Sequence, residues 1–380
     1  MEKLDLVNFP IWSQGAGTTL IPTSFNGMEE ADRLPARWFN WLTQQNQNLA
    51  REAFSSRLSR FTVAAPLPTL GGAAVIDHEA FGCWAGRFVY IDVSGNIHGS
   101  VDGLDWVDTG EDWAQSYCNF VDHGYGGLIA ASTNGYVLDY PYWGATGANI
   151  SLPSGSNLYF AQGGSLSPQA VSISGVTGSI NYAADYRSGF FAASTPPTLG
   201  TSEYRGVCFI APDVFALVTN DGKFSLSSDG GDTWSSLVQI SYGAVSASSG
   251  FDIKSNGSRI MVSAYRSPGS HYCVFYSDDL GGTWTYTDLL GANSGSQTVG
   301  RLSSLGHGMW YAAGRINNSG TSIYQYYSYG AFSFDDGATW SGVVLPPDNF
   351  ENATTYSSFE AVCSKKDVVL RMLNGEAFRC

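Results

Sequence analysis

The chain has 380 residues, with 33 Asp+Glu against 19 Lys+Arg and a net charge of −14. An acidic chain disfavours a phosphate backbone, which needs clustered Lys/Arg, so nucleic acid is not an expected partner. No apolar run reaches 18 residues, so no membrane-spanning helix or membrane insertion is expected.

The opening "MEKLDLVNFPIW" lacks a basic stretch followed by an apolar core, so no signal peptide is predicted. Residues 1–34 hold Pro, Gly and Thr without a stable period and read as an extended segment that becomes ordered on a partner. Residues 35–60, "PARWFNWLTQQNQNLAREAFSSRLSR", read as one helix: Pro35 suits a first turn, and no Gly or Pro follows before Arg60. Trp38, Leu42, Leu49 and Ala53 fall at helical spacing, interrupted by Gln45 and Ser56. Such a stripe either packs on its own domain or forms a partly polar seam with copies of itself. Residues 1–60 carry six basic and six acidic residues, so the whole negative charge lies in residues 61–380.

From about residue 61 short strands alternate with Gly, Asn and Asp turns. Glycine (45), tyrosine (21), phenylalanine (21) and tryptophan (11) are abundant, and only 14% of residues are charged, which points to an all-β domain over 61–380. "FVYIDVSGNIHGSVDGLDW" (88–106) and "FALVTNDGKFSLSSDGGDTW" (215–234) are alike: strand, tight turn, strand, acidic Gly turn, Trp. Residues 128–140 repeat the first half, 260–284 and 309–340 repeat all of it, and 368–380 stop halfway. The stretch between 140 and 215 leaves room for one or two degenerate units, around 158–194. A period of roughly 40–55 residues with about four strands each predicts a β-propeller of six or seven blades. The halved last unit predicts that strands near 61–76 complete it, which would protect the terminal edges.

The acidic turn occurs in full three times: Ser227, Asp229, Gly231, Thr233, Trp234; Ser277, Asp279, Gly281, Thr283, Trp284; and Ser333, Asp335, Gly337, Thr339, Trp340. Ser100, Asp102 and Trp106 form a degenerate fourth copy. Ser and Asp accept bonds from nearby backbone N–H groups, Gly allows positive φ, Thr begins the returning strand and Trp packs between sheets, so the turn reads as a structural staple. No copy has the ligand ladder or late Glu of a calcium loop. The motif resembles the Asp-box of sialidase-type propellers, which implies a place on the outer rim between the third and fourth strands of a blade.

A sialidase would need three arginines on the substrate carboxylate. The Arg-Ile-Pro motif that precedes the first of these in that family is missing, and Arg187, Arg205, Arg266 and Arg315 fall near strand ends or turns, where the sequence supplies no support for a central cluster. The five histidines show no metal-ligand spacing, and the six cysteines are far apart without a CxxC pair, which suits reduced thiols. No catalysis, cofactor or metal is expected. Tyr140, Tyr142 and Trp143 in "DYPYWGATG" are candidates for stacking on a sugar or a protein partner; the tyrosines of 322–332 read as blade packing.

Pro35, Trp38, Asn40, Trp41 and Leu42, in "PARWFNWL", carry a second resemblance, to the N-terminal module of tailed-phage tail fibres and tail spikes. It implies that residues 1–60 attach to other virion proteins and form a homo-oligomer, with a trimer favoured and Leu49 on the same interface. The propeller would then face a host glycan or receptor from a virion tail made in the bacterial cytoplasm. A sialidase-like hydrolase or lectin, and a non-viral Asp-box scaffold, are the alternative readings.

Overall fold

The computed structural model describes residues 62–66, 81–84, 87–91, 96–112, 118–122, 128–132, 136–140, 148–151, 158–163, 167–174, 178–269, 271–289, 296–306, 308–318, 325–342, 360–365, 368–373 and 376–379. The expected helix over 35–60, with Pro35, Trp38, Asn40, Trp41, Leu42 and Leu49, lies outside them, as do Tyr142 and Trp143.

The described strands form seven antiparallel sheets. The first holds Phe81–Trp84, Arg87–Ile91, Asn96–Ser100 and Val107–Asp112; the second, Cys118–Asp122, Leu128–Ser132, Tyr136–Tyr140 and Ala148–Ser151. The third holds Leu158–Gln162, Ala170–Ser174, Ile180–Ala183 and Phe191–Ala192, so residues 158–194 make one unit and not two. The fourth holds Tyr204–Ala211, Val214–Thr219, Lys223–Ser227 and Val238–Gln239. The fifth holds Val245–Ser255, Ile260–Ser267, His271–Ser277 and Thr285–Asp288, with a short extra strand, Ser241–Tyr242, beside the first of these. The sixth holds Ser296–Gly306, Met309–Asn318, Gln325–Ser333 and Ser341–Gly342. The seventh holds Glu360–Lys365, Val368–Leu373, Glu376–Arg379 and, from the other end of the sequence, Thr62–Pro66.

The first long strand of each sheet lies alongside that of the next, and Glu360–Lys365 of the seventh returns to Phe81–Trp84 of the first. The expected sharing of the last sheet between the two ends is present: Thr62 pairs with Arg379 and Pro66 with Glu376. An open edge on the last three strands would leave a row of backbone groups unpaired, and the upstream strand covers it.

Both faces of each central sheet are buried, which explains runs that read as continuously apolar. In the fourth sheet Phe215, Ala216, Leu217 and Val218 are all fully buried. Alternation sends Phe215 and Leu217 toward the third sheet, among Val171, Ile173 and Ile180. Ala216 and Val218 face the fifth, among Ile253, Val262 and Phe275. The same division occurs one sheet on, where Met261 and Val274 pack with Leu302 and Trp310 while Val262 and Phe275 point back. Truncating one such side chain to Ala removes apolar contact on one seam only, at a cost of about 2–5 kcal/mol.

Candidate functional site

The three full turns lie between the third and fourth strands of the fourth, fifth and sixth sheets. Ser227 Oγ donates to Asp229 Oδ1 at 2.9 Å and accepts from Gly231 N at 2.9 Å. Asp229 Oδ1 accepts from Thr233 N at 2.9 Å, and Oδ2 accepts from Thr233 Oγ1. Trp234 Nε1 donates to Gly231 O at 2.9 Å, closing the turn. The network recurs at Ser277, Asp279, Gly281 and Thr283 and at Ser333, Asp335, Gly337 and Thr339. The threonine hydroxyl is a third donor to each aspartate, after the serine hydroxyl and the threonine N–H, a role beyond starting the returning strand.

These bonds set the charge state. Partial burial raises the Asp229 and Asp335 carboxyls, but hydrogen bonds from Thr233 and Thr339, and from the paired serines, outweigh it and leave both below the ordinary value. At Asp279 the Thr283 backbone N–H is the leading cause of the same lowering. A carboxylate tied to its own turn and held ionised is a poor general acid near neutral pH.

Each turn also grips the preceding sheet. Gly231, Gly281 and Gly337 have φ of 103°, 89° and 86°. A Cβ on them would collide with Val171, Phe224 and Met261 respectively, each one sheet back. The tryptophans sit on the same seams: Trp234 among residues of the third and fourth sheets, Trp284 with those of the fourth and fifth, Trp340 with those of the fifth and sixth. Polar ties reinforce two seams. Ser194 N donates to Asp232 and Trp234 N to Thr195 O. Arg259 donates from Nε and Nη2 to Asp278 at 2.6 Å each, from Nη1 to Asp336 O, and covers the Tyr276 ring at 4.4 Å.

In the first sheet Ser100 and Asp102 keep the serine–aspartate bond and the Gly103 N contact, but Asp102 accepts from Leu104 and Asp105 N instead of from a threonine. Trp106 comes one residue early and its indole N–H is buried without a hydrogen-bond partner.

The third sheet carries a variant that the sequence reading missed. Ala183 stands in the serine position, Asp185 in the aspartate position and Phe190 in the tryptophan position, around a single 3-10 turn, Tyr186–Ser188. Asp185 caps that turn by accepting from Arg187 N. Phe190 packs beside Phe160, Tyr186 and Ile150, keeping the aromatic seam. Asp139, buried near the end of the second sheet's third strand, accepts from Tyr186 Oη at 3.1 Å and from Arg187 Nε at 2.7 Å. Burial, then the Asp139 charge, push the Tyr186 phenol up, and the bond to Asp139 raises Arg187. The Arg187 side chain remains half exposed. Asp139 and Tyr140 open the aromatic stretch 139–147 in sequence, the rest of which, 141–147, lies outside the described residues. The spacing Ala-x-Asp to Phe, matching Ser-x-Asp to Trp, was the available signal.

The expected sites separate as follows. Tyr140 ends a strand and pairs with Leu128, and the tyrosine-rich 325–333 is the third strand of the sixth sheet. Arg205 faces Glu203 at the surface, Arg266 faces Asp288 and Arg187 faces Asp139. Each is thus occupied by its own carboxylate, while the Arg315 side chain lies outside the description. On the first strands, buried Asp252 accepts from Ile253 N and from Leu302 N of the next sheet, at 2.8 and 3.0 Å, a joint between sheets. Among the described residues no three His, Cys, Asp or Glu side chains form a metal cluster. Cys208 and Cys273 are free and buried.

No known family pattern and no curated protein matches the chain. Solved structures do. YCF48 bound to D1 peptide is 16% identical, covers 84% of this chain and 97% of its own, and superposes with a TM-score of 0.54. The GH74 xyloglucanase from Xanthomonas campestris is 13% identical, over 84% of this chain and 53% of its own, with a TM-score of 0.56. A catalytically inactive virginiamycin B lyase from Staphylococcus aureus, with quinupristin, is 9% identical over 84% and 98%, with a TM-score of 0.56. At these identities the likeness is one of fold: the chain is an all-β propeller, on a scaffold that serves unrelated tasks.

Proposed function

We propose that the chain is a non-catalytic virion component of a tailed phage, in which residues 1–60 attach to other tail proteins and a β-propeller is presented outward. Taking each sheet as a blade gives a seven-bladed propeller, and the Ser-x-Asp-x-Gly-x-Thr-Trp turns are its Asp-boxes. The observation that carries the reading is the pairing of Thr62–Pro66 with Glu376–Arg379. The first strand after the attachment segment is an integral strand of the propeller, so load on the segment passes into a hydrogen-bonded ladder and not a free linker. The match at Pro35, Trp38, Asn40, Trp41 and Leu42 supplies the virion context, and a trimer is the favoured assembly. Host contact is assigned to the stretch holding Tyr140, Tyr142 and Trp143. Aromatic faces suit a glycan or a protein receptor.

The test is particle association. A tagged chain lacking residues 1–60 should fold and stay out of purified particles, while the full chain co-purifies. Incorporation of the shortened chain at the full level would overturn the reading. Tyr142→Ala with Trp143→Ala should lower adsorption to host cells without changing incorporation.

A further inference from the structure

The turn of the first sheet departs from the full copies in a way that folding does not require. Directly after the first serine of the turn, two full copies carry Ser228 and Asp278; directly after the tryptophan, all three carry a hydroxyl, Ser235, Thr285 and Ser341. The first sheet has Val101 and Val107 at these places, 63% and 66% exposed, with Leu104, 38% exposed, between them. Three aliphatic side chains turned to water within one short turn gain nothing for the fold and mark a contact surface.

Carboxylates alternate with them: Asp102, Asp105 and Asp108 each follow one of the three. Val101 and Val107 line a cavity of about 480 Å³ together with Arg87 and all three aspartates. Three carboxylates against one guanidinium leave its lining with a net charge of −2. Asp102 is taken up by its own turn, accepting from Ser100 Oγ at 3.2 Å, Leu104 N at 2.9 Å and Asp105 N at 3.2 Å. Asp108 Oδ1 accepts from Gly110 N at 2.8 Å. Asp105 and Asp108 are both exposed at the cavity, so they are the two carboxylates offered outward.

The backbone here is a poor template for a further strand. His98 pairs with Asp108 but Asn96 with Asp112, so a bulge interrupts the outer strand of the sheet. A bulge beside acidic side chains blocks strand addition, and recognition falls to the side chains. The negative lining turns away phosphates and anionic lipid. What complements valines interleaved with carboxylates is a long basic side chain, apolar along its stem and cationic at its head. Arginine fits better than lysine, because its guanidinium is more weakly hydrated and can fork onto a carboxylate. We infer that this cavity receives an arginine side chain of a partner protein, with its stem against Val101 and Val107, its guanidinium on Asp105 and Asp108, and an aliphatic neighbour of that arginine on Leu104.

The probe that tests it is a dye-labelled peptide, Gly-Ser-Leu-Arg-Leu-Ser-Gly, added to the full chain and followed by fluorescence anisotropy and by hydrogen exchange of the protein. It should bind, and should slow exchange over 99–110 more than elsewhere. Val101→Ser with Val107→Ser keeps the net charge and should weaken binding on the order of tenfold. Asp105→Asn with Asp108→Asn should weaken it on the order of fivefold and flatten its salt dependence. The same peptide with Glu in place of Arg should not bind. Binding indifferent to the serine pair would reduce the contact to the general acidity of the chain and overturn the inference. Probe-induced protection lying elsewhere would overturn it too. So would protection of 99–110 that appears without the probe and rises with protein concentration, since a second copy would then be the occupant. Binding at this turn is read without residues 1–60, so particle association can fail while the probe still binds, and the reverse.

Discussion

Phe224, on the third strand of the fourth sheet, meets the indole of Trp284 edge-on, with ring centroids 5.2 Å apart and planes 74° apart. Trp284 belongs to the turn of the fifth sheet, and Gly281 of that turn rests on the same phenylalanine. One side chain thus receives both the aromatic and the glycine of the next turn, and a change at any of the three residues should be felt as a loosened seam. Gly281→Ala combines a positive φ with a collision at Phe224. Gly110→Ala shares the positive φ but has open space around it. The Gly110 variant should cost about 1–2 kcal/mol, and the Gly281 variant about 1–3 kcal/mol more. Urea unfolding of the two variants checks this; equal midpoints would mean that the glycine is kept for its backbone alone.

Acid should loosen the same turns. The Asp229, Asp279 and Asp335 carboxyls are held below their ordinary value in the folded protein. A depressed folded value contributes stability that is present above the unfolded value, about 3.9, and is lost as pH falls through the folded one. The melting temperature should therefore drop below about pH 4. A variant with Asn at all three positions should start lower at neutral pH and fall less steeply. An unchanged acid limb in that variant would assign the acid sensitivity elsewhere.

Arg259 and Arg205 offer a paired comparison. Arg259 is largely covered, forks onto Asp278 and reaches Asp336 O in the next turn. Arg205 and Glu203 are both about half exposed. Arg259→Lys keeps the charge but cannot keep the fork, and should cost about 1–3 kcal/mol. Arg205→Ala should stay within about 0.5 kcal/mol. Thermal unfolding of the two single variants at moderate salt distinguishes a seam tie from a surface pair.

The strand alternation and the three full turns could be read in the letters, because each role there is played by a residue type with few substitutes. Glycine at positive φ and tryptophan across a seam are such residues. Asp139, Tyr186 and Arg187 could not be read in this way. The cluster joins positions 47 and 48 residues apart, on neighbouring sheets. Its turn also replaces serine by alanine and tryptophan by phenylalanine, so the lettering fades while the packing role persists. The threonine hydroxyl bond was hidden for another reason: threonine is so ordinary at the start of a strand that its side-chain bond adds nothing to the pattern.

Burial should silence two thiols. Desolvation pushes Cys208 up to about 12 and moves Cys273 in the same direction. Iodoacetamide at pH 8 should leave both unlabelled in the folded protein and label both after denaturation, as read by peptide mass spectrometry. Labelling of either before unfolding would reveal opening of the sheet that carries it.

The seventh sheet sets a timetable for synthesis. Thr62–Pro66 leaves the ribosome early, yet its ladder partner, Glu376–Arg379, is about three hundred residues downstream. The strand must wait, with its backbone donors turned to water, until residues 376–379 have been made. Closing so long a loop costs entropy that only the completed ring can offset. A nascent chain stalled anywhere before residue 376 would therefore carry an unmated upstream strand at Thr62–Pro66. A ribosomal stall or premature stop there would release a sticky fragment and not a shorter propeller.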